Sequence, residues 1–410
     1  MNFGMGAIGR AIKSATYRLL ESWDERVNAY APPRAKSGKA VNWKTALEVT
    51  TVLACARVLA EGVAQVPFKL FQDSADSRLP AVDHPHYALV RSNPNEWQTW
   101  YEFAEQMMLH LVLCGAAFAY KNVVRGQIEE LILFEPQNVT VRRAGDGTLS
   151  YRVMAADGSM KDFSAAEIWH LRGPSWNGWK GLDVVHLARE AIGLALATEE
   201  QHALLHANGV SPSGIYSVEG TLKPDQHEDL MNWINKHYVG ENRGKPLLLD
   251  RNAKWLTQAM NGVDAQHIET RRLQIEELCR AARVMPIMVG HSDKAATYAS
   301  AEQMFIAHVV YSLTPWYARI EQSANLNLLT REERKSGLYF KFIAAGLLRG
   351  SMNDRASYFA KALGAGGAPA WMTQDEVRHL EEMNPMGGAA AKLPVITNAP
   401  KTPAPEPTGA

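Results

Sequence analysis

His202 and His206, in the run His-Ala-Leu-Leu-His, fall four residues apart on one helical face, the spacing with which zinc proteases hold their metal. The carboxylate that would serve as base is replaced by Ala203 and no third ligand is evident, so surface or interface histidines are the better reading. Gly240 to Pro246 resembles a phosphate loop but is one residue short, and Pro246 stands where a hydroxyl would hold magnesium. Gly4, Gly6 and Gly9 match the dinucleotide fingerprint in spacing alone. Only three residues precede them, and that chemistry needs a strand to deliver the pyrophosphate to a helix N-terminus. Ser211 and Ser213, between Gly209 and Gly214, lack the spacing of a nucleophile elbow. Cys55, Cys114 and Cys279 are too few for a disulfide framework or a four-sulfur metal site, and they have the character of core residues in a reducing interior. No catalytic residue, metal-ligand set or cofactor site emerges, which turns the expectation from catalysis toward assembly or binding.

The elements around these residues are read from periodicity. Helical patterns cover 45–65, a stretch from Thr99 to Gly115 with Glu102 at the capping-box position, 183–208, 224–238 and 264–284. They return around Glu302, Phe305, Val309 and Leu313, resume after Pro315 to about 329, and recur near 351–363 and 373–383. Strand patterns begin at 66–70 and continue at 118–124, 128–134, 139–142, 151–154 and 168–171. Glycine turns separate them, which predicts a small antiparallel sheet. Further strands are read at 215–218 and 247–249. The segment 1–39 is an N-terminal arm and linker. Ile8, Ile12, Leu19, Leu20, Trp23 and Val27 form an apolar stripe with Arg10, Lys13 and Arg18 between, suited to packing on a neighbour or to lying on a membrane surface. Residues 386–410 hold five prolines and no aromatic residue and are expected to be disordered.

Composition narrows the classes. The chain has 410 residues, 46% of them hydrophobic, which is too apolar for a disordered protein, and its one 18-residue window free of Asp, Glu, Lys and Arg, 201–218, holds two histidines, three serines and a proline, so no membrane-spanning helix is expected. Lys plus Arg number 43 against 43 Asp plus Glu. A protein that grips nucleic acid by its phosphates needs a basic excess, so contact with DNA or RNA is expected to be loose or confined to a small patch.

Whole segments then carry a resemblance. Leu59-Ala-Glu-Gly-Val-Ala-Gln-Val-Pro67 is followed by a strand, then by Ser92-Asn-Pro-Asn95 ahead of the Thr99 helix. Glu167-Ile-Trp-His-Leu171, Gly178-Trp-Lys-Gly181 and the helix from Ala188 to Ala197 come next. Asn208 to Gly214, Ile268-Glu-Thr-Arg271, Pro286-Ile-Met-Val-Gly290 and Thr314-Pro315 through Ile320-Glu321 complete the order. In this order the chain, over about residues 40–385, resembles the portal proteins (head-to-tail connectors) of long-tailed bacteriophages and gene transfer agents. It departs at Met285, where a valine is usual before the proline, and at Gly115-Ala-Ala, where Gly-Asn-Ala is usual.

The resemblance implies an α+β portal fold with an α/β wing at 40–182, stem helices at 183–208 and 264–284, and a mixed α/β clip at 209–263. It also places a tunnel-loop region at 285–300, connecting helices at 301–329 and a helical crown at 330–385. It implies a ring, typically of twelve copies, at one capsid vertex, through which double-stranded DNA is packaged and ejected. The partners implied are the major capsid protein, the terminase large subunit and head-tail adaptors. The location implied is the virion, after assembly in the host cytoplasm. His291, Ser292, Asp293, Lys294 and Thr297 fall where such proteins carry the loop that faces DNA, with Lys294 as a weak phosphate contact. Closure of a ring repeats every channel side chain, so a neutral chain suits DNA that must slide. No enzymatic activity, cofactor or membrane is expected; the rival readings are an enzyme with an unrecognised site and a membrane-surface protein.

Overall fold

Asn42 accepts hydrogen bonds from the backbone N–H groups of Lys44 and Thr45 and so opens helix α1 (Trp43–Glu48). Val49 is extended, at φ −76° and ψ 109°, which divides the helix expected over 45–65 into α1 and α2 (Thr50–Ala64). The computed structural model describes residues 35–73, 78–155, 157–208, 215–217, 224–225, 228–229, 232, 254–256, 263–291, 298–344, 352–365, 369–380 and 383–393. These belong to two compact units, Met1–Ile343 and Ala344–Ala410.

In the first unit, Pro67 ends the helical run and the chain enters β1 (Phe68–Asp73), β2 (Arg78–Pro80), α3 (Pro85–Arg91) and α4 (Trp100–Cys114). The capping box read from the sequence is present: Glu102 N–H reaches the Thr99 hydroxyl at 3.3 Å, and Thr99 N–H reaches the Glu102 carboxylate at 2.8 Å. Gly115 closes α4 in the left-handed region at φ 74°. β3 (Ala116–Val124), β4 (Gln127–Phe134), β5 (Val139–Arg143), β6 (Leu149–Met154), β7 (Met160–Ser164) and β8 (Ile168–Arg172) follow.

These strands make two antiparallel sheets where one was expected, β4-β3-β8 and β5-β6-β7. The sequence pattern missed β7 because only Phe163 in it is buried, so no apolar alternation marks it. The sheets share an aromatic core: Phe118, Tyr151 and Phe163 are buried together, with Tyr120 and Phe134 against them.

The chain continues through α5 (Val184–Leu187), α6 (Arg189–Asn208), β9 (Ile215–Ser217), β10 (Lys254–Leu256) and α7 (Val263–Ala282). The helix read at 224–238 and the strand at 247–249 lie outside or largely outside the described residues, as does the arm 1–34. Helix α8 (Tyr298–His308) runs through a π turn, Val309–Leu313, into α9 (Thr314–Asn327) without the stop expected at Pro315. In the π register the Thr314 N–H reaches back five residues to Val309 O, just ahead of Pro315, which has no N–H to give. Helix α10 (Arg331–Lys335) and β11 (Leu338–Phe342) end the unit, and β11 pairs antiparallel with β1, as β2 does on the other side. Part of the segment expected to form the crown, 338–342, therefore sits in the same sheet as β1.

Phe68 anchors that sheet, its ring 5.2 Å from Trp100, 5.4 Å from Phe340 and 4.4 Å from Phe342. Such buried rings contribute about 1.5–3 kcal/mol each. Helix α9 supplies the polar bonds that the sheets lack. Its Asn325 and Glu321 accept the N–H groups of Phe340 and Phe342, at 2.7 and 2.8 Å, and so occupy the free edge of β11. Its Ser323 accepts the Trp169 indole N–H at 3.0 Å, Tyr317 donates to Gly62 O at 2.8 Å, and the Asn327 carbonyl accepts from the buried Lys121 ammonium at 3.0 Å.

In the second unit, α11 (Met352–Ala362) ends where Trp371 and Met372 donate to Ala362 O. Thr373 and Glu376 cap α12 (Gln374–Leu380). The tail expected to be disordered from 386 begins with order: the N–H groups of Met386 and Gly387 donate to the Asp375 carboxylate at 2.7 and 2.9 Å, and Gly388–Ala391 forms a 3-10 turn. The remainder, 394–410, lies outside the described residues.

Candidate functional site

The expected tunnel-loop residues lie between α7 and α8, and the described geometry fixes the chain on both sides of them. Helix α7 ends when Arg283 enters the left-handed region at φ 59° and Val284 N–H returns to Cys279 O at 2.9 Å. The 3-10 turn Pro286–Val289 follows and closes on Gly290 at φ 78°, with His291 N–H donating to Pro286 O at 3.0 Å. On the returning side, Ser312 in the π turn donates to Arg283 O at 2.8 Å. The bond therefore ties the end of α7 to the far end of α8, with the 3-10 turn and α8 between them along the chain. Of the five residues expected in the tunnel loop, only the half-buried His291 is described; Ser292, Asp293, Lys294 and Thr297 lie outside the described residues.

Helices α6 and α7, read as the stem pair, pack against each other, and α7 also packs against α2. Leu278 and Cys279 are buried at this junction, and Gln274 donates to the Thr198 hydroxyl at 3.3 Å. The Cys55 and Cys279 sulfurs lie 3.8 Å apart, both as free thiols. That hydrogen bond and burial raise the Cys55 pKa, so it stays protonated and donates to Cys279. Residues 35–41 lie across α6 at Gly193, where Lys36 N–H donates to Glu190 at 2.9 Å and Lys39 pairs with Glu200. His202 is half-buried on α6, and the side chain of His206 lies outside the described residues.

The turn that carries Gly178-Trp-Lys-Gly181 links β8 to α5 through a glycine junction. Gly173 N–H donates to Gly115 O at 2.8 Å, and a methyl group on Gly181 would overlap that same carbonyl oxygen. Trp176, at 79% exposed, stands on this turn. On α8 and the π turn, Phe305 (50%), Tyr311 (63%), Met304, Ile306 and Val310 leave an apolar face uncovered.

Titratable groups within the first unit are shifted mainly by burial. It lowers His170 to about 3 and His110 to about 4, and raises Tyr151 to about 12. None of these lies among the expected tunnel-loop residues. A cavity of about 400 Å³ opens between β8 and α9, where Arg319 donates to Gly173 O at 3.0 Å beside Arg172. No described helix is long and apolar enough to cross a membrane.

These connections join the segments that carried the resemblance: 59–67 under the π turn, 178–181 against Gly115, 188–197 under residues 35–41, and 286–290 after the end of α7. The sequence profile of the phage portal proteins matches residues 50–382. The chain belongs to the phage portal protein family. It is 28% identical over 354 residues to the portal protein of Enterobacteria phage HK97, covering 85% of this chain and 82% of that one. It is 29% identical over 402 residues to the probable portal protein of Streptomyces phage phiC31, covering 94% and 86%. A chain from the neck of an empty gene transfer agent (GTA) particle has the same fold, with a TM-score of 0.60 at 22% identity, covering 83% of this chain and 92% of that one. The portal fold is thus α+β, as expected, and the portal family is one of structural virion proteins.

Two groupings escaped the sequence reading. Cys55 and Cys279 meet across α2 and α7, although nothing in their separation along the chain signals it. His84, His86 and Glu333 converge from α3 and α10; the His-Pro-His run was visible, but its distant carboxylate partner was not.

Proposed function

We propose that this portal protein closes into a ring, typically of twelve copies, at one vertex of a phage or gene-transfer capsid, and that double-stranded DNA passes through its centre during packaging and ejection. The match to the portal family over 50–382 carries the reading. The uncovered apolar residues of α8 and the π turn support it, because a ring subunit needs two different faces to meet its neighbours. Residues 40–182 act as the wing, joined there by β11, 183–208 and 264–284 as the stem, 209–263 as the clip and the remainder of 330–385, after β11, as the crown. The clip docks the terminase large subunit and later the head-tail adaptors, and the wing meets the major capsid protein. The chain has no enzymatic role, ATP hydrolysis belonging to the motor, and rings assemble in the host cytoplasm before incorporation into the virion. His291, Ser292, Asp293, Lys294 and Thr297 face the DNA, with Lys294 making a weak phosphate contact that repeats around the ring.

Electron microscopy of the purified protein tests this directly. Annular particles with a central opening and countable rotational symmetry are expected. Particles that remain single globules under associating conditions, or purified protein that hydrolyses ATP alone, would overturn the reading.

A further inference from the structure

His84 caps α3, and the fold brings Glu333 of α10 against it from the far end of the first unit. His84 Nδ1 accepts the His86 backbone N–H at 3.2 Å, which leaves the ring proton on Nε2, and Nε2 donates to Glu333 Oε1 at 3.0 Å. The other carboxylate oxygen, Oε2, accepts the Thr330 N–H and hydroxyl at 2.7 and 2.9 Å. The α10 capping box thereby holds the carboxylate in place with Oε1 turned toward the histidines. His86 is 7% exposed, and its Nδ1 has no hydrogen-bond partner among the described residues. Its ring lies 4.9 Å from that of His84. One ligating atom from each of His84, His86 and Glu333 lies within 4.8 Å of the other two.

We propose that His84, His86 and Glu333 bind a single divalent transition-metal ion of the zinc class, which ties α3 to α10. Two imidazoles and one carboxylate are borderline ligands that suit zinc, cobalt or nickel and match calcium or magnesium poorly. Zinc bonds of about 2.0–2.2 Å set neighbouring ligand atoms roughly 3.3–3.6 Å apart. The His84 and Glu333 atoms are already close to that separation, and small side-chain rotations bring in His86. An orphaned buried nitrogen is uncommon in a folded protein, and a metal bond satisfies it.

Binding uses the lone pair of His84 Nε2, so the ring changes tautomer: the proton leaves Nε2 and one is taken up at Nδ1, with no net change in ring charge. The His86 N–H cap and the His84–Glu333 hydrogen bond are both given up, two hydrogen bonds exchanged for three metal-ligand bonds. The side chains of His84 and Glu333 are 18% and 27% exposed, which provides an entry path and leaves the fourth coordination position to water. Helix α3 follows β2 and α10 precedes β11, so the ion fastens both flanks of the sheet formed with β1.

The test uses the full-length protein, stripped with chelator and titrated with Zn²⁺ by calorimetry and with Co²⁺ by visible absorption. One ion per chain is expected, with the intense ligand-field bands of a low-coordinate cobalt site. His86→Ala and Glu333→Gln should each weaken zinc binding by about tenfold or more. Glutamine preserves the α10 capping box, so Glu333→Gln removes a ligand while the helix start remains intact, which circular dichroism verifies. His202→Ala should leave the affinity unchanged. The proposal is overturned if no stoichiometric cobalt signal appears, if both cluster variants bind as tightly as the parent, or if His202→Ala is the variant that loses binding.

Discussion

His170 stacks on Phe118 at 4.5 Å and shares a 3.2 Å hydrogen bond with the Tyr151 hydroxyl, deep between the sheets β4-β3-β8 and β5-β6-β7. Burial lowers its pKa from 6.5 to about 3, so the folded protein keeps the ring neutral where the unfolded chain would protonate it. Unfolding then takes up a proton at any pH between those values. The stabilisation is complete above about 6.5 and is lost as pH falls, at about 1.4 kcal/mol per unit for this group. His110, held down to about 4, and His86 and His308, also lowered by burial, act in the same direction. Denaturant unfolding followed at several pH values should show the midpoint dropping steadily between about pH 7 and pH 4, and a flat midpoint would contradict these buried neutral rings. A second residue-scale prediction concerns function. Lys294→Glu should leave particles that assemble yet package or retain less DNA, measured as DNA content per particle, and normal filling would remove Lys294 from the channel.

Close approaches of backbone give the glycines in the portal motifs a physical reason. Gly181 presses on the Gly115 carbonyl, and a Cβ on Gly62 would lie 2.9 Å from the Leu313 side chain in the π turn. Gly181→Ala has only backbone to displace and should destabilise the protein by about 3 kcal/mol or more, read from equilibrium unfolding. Gly62→Ala meets a flexible leucine end and should be milder; equal effects would mean that the turn moves more freely than its hydrogen bonds suggest. Much at this scale was legible beforehand, because local chemistry writes it. Thr99 with Glu102 announced α4, and glycine turns announced where strands break. What escaped depends on distant partners. β7 exists because β6 pairs with it, and the helix runs on past Pro315 because five residues widen into a π turn. The tail holds a turn at 388–391 because Asp375 accepts its N–H groups. The tunnel-loop residues were named from the order of the portal motifs, since no local spacing singles them out.

At the scale of the whole molecule, the uncovered apolar face of α8 and the π turn is the surface on which assembly is expected to act. Tyr311→Glu or Phe305→Glu changes a side chain that is half or more exposed among the described residues. Each should therefore leave the fold intact while shifting rings to single subunits, seen by light scattering with circular dichroism as the control. Rings that persist would mean neighbours meet elsewhere. The pairing of β1 with β11 has a further consequence for how the protein is made. The first strand waits for a partner synthesised almost at the end of its unit, so a nascent chain emerges with an open strand edge that nothing upstream of 338 supplies. A translation product truncated before 338 lacks the strand that completes this sheet, and in the proposed ring assembly it should be left out of the annulus, exposed to chaperones or proteases.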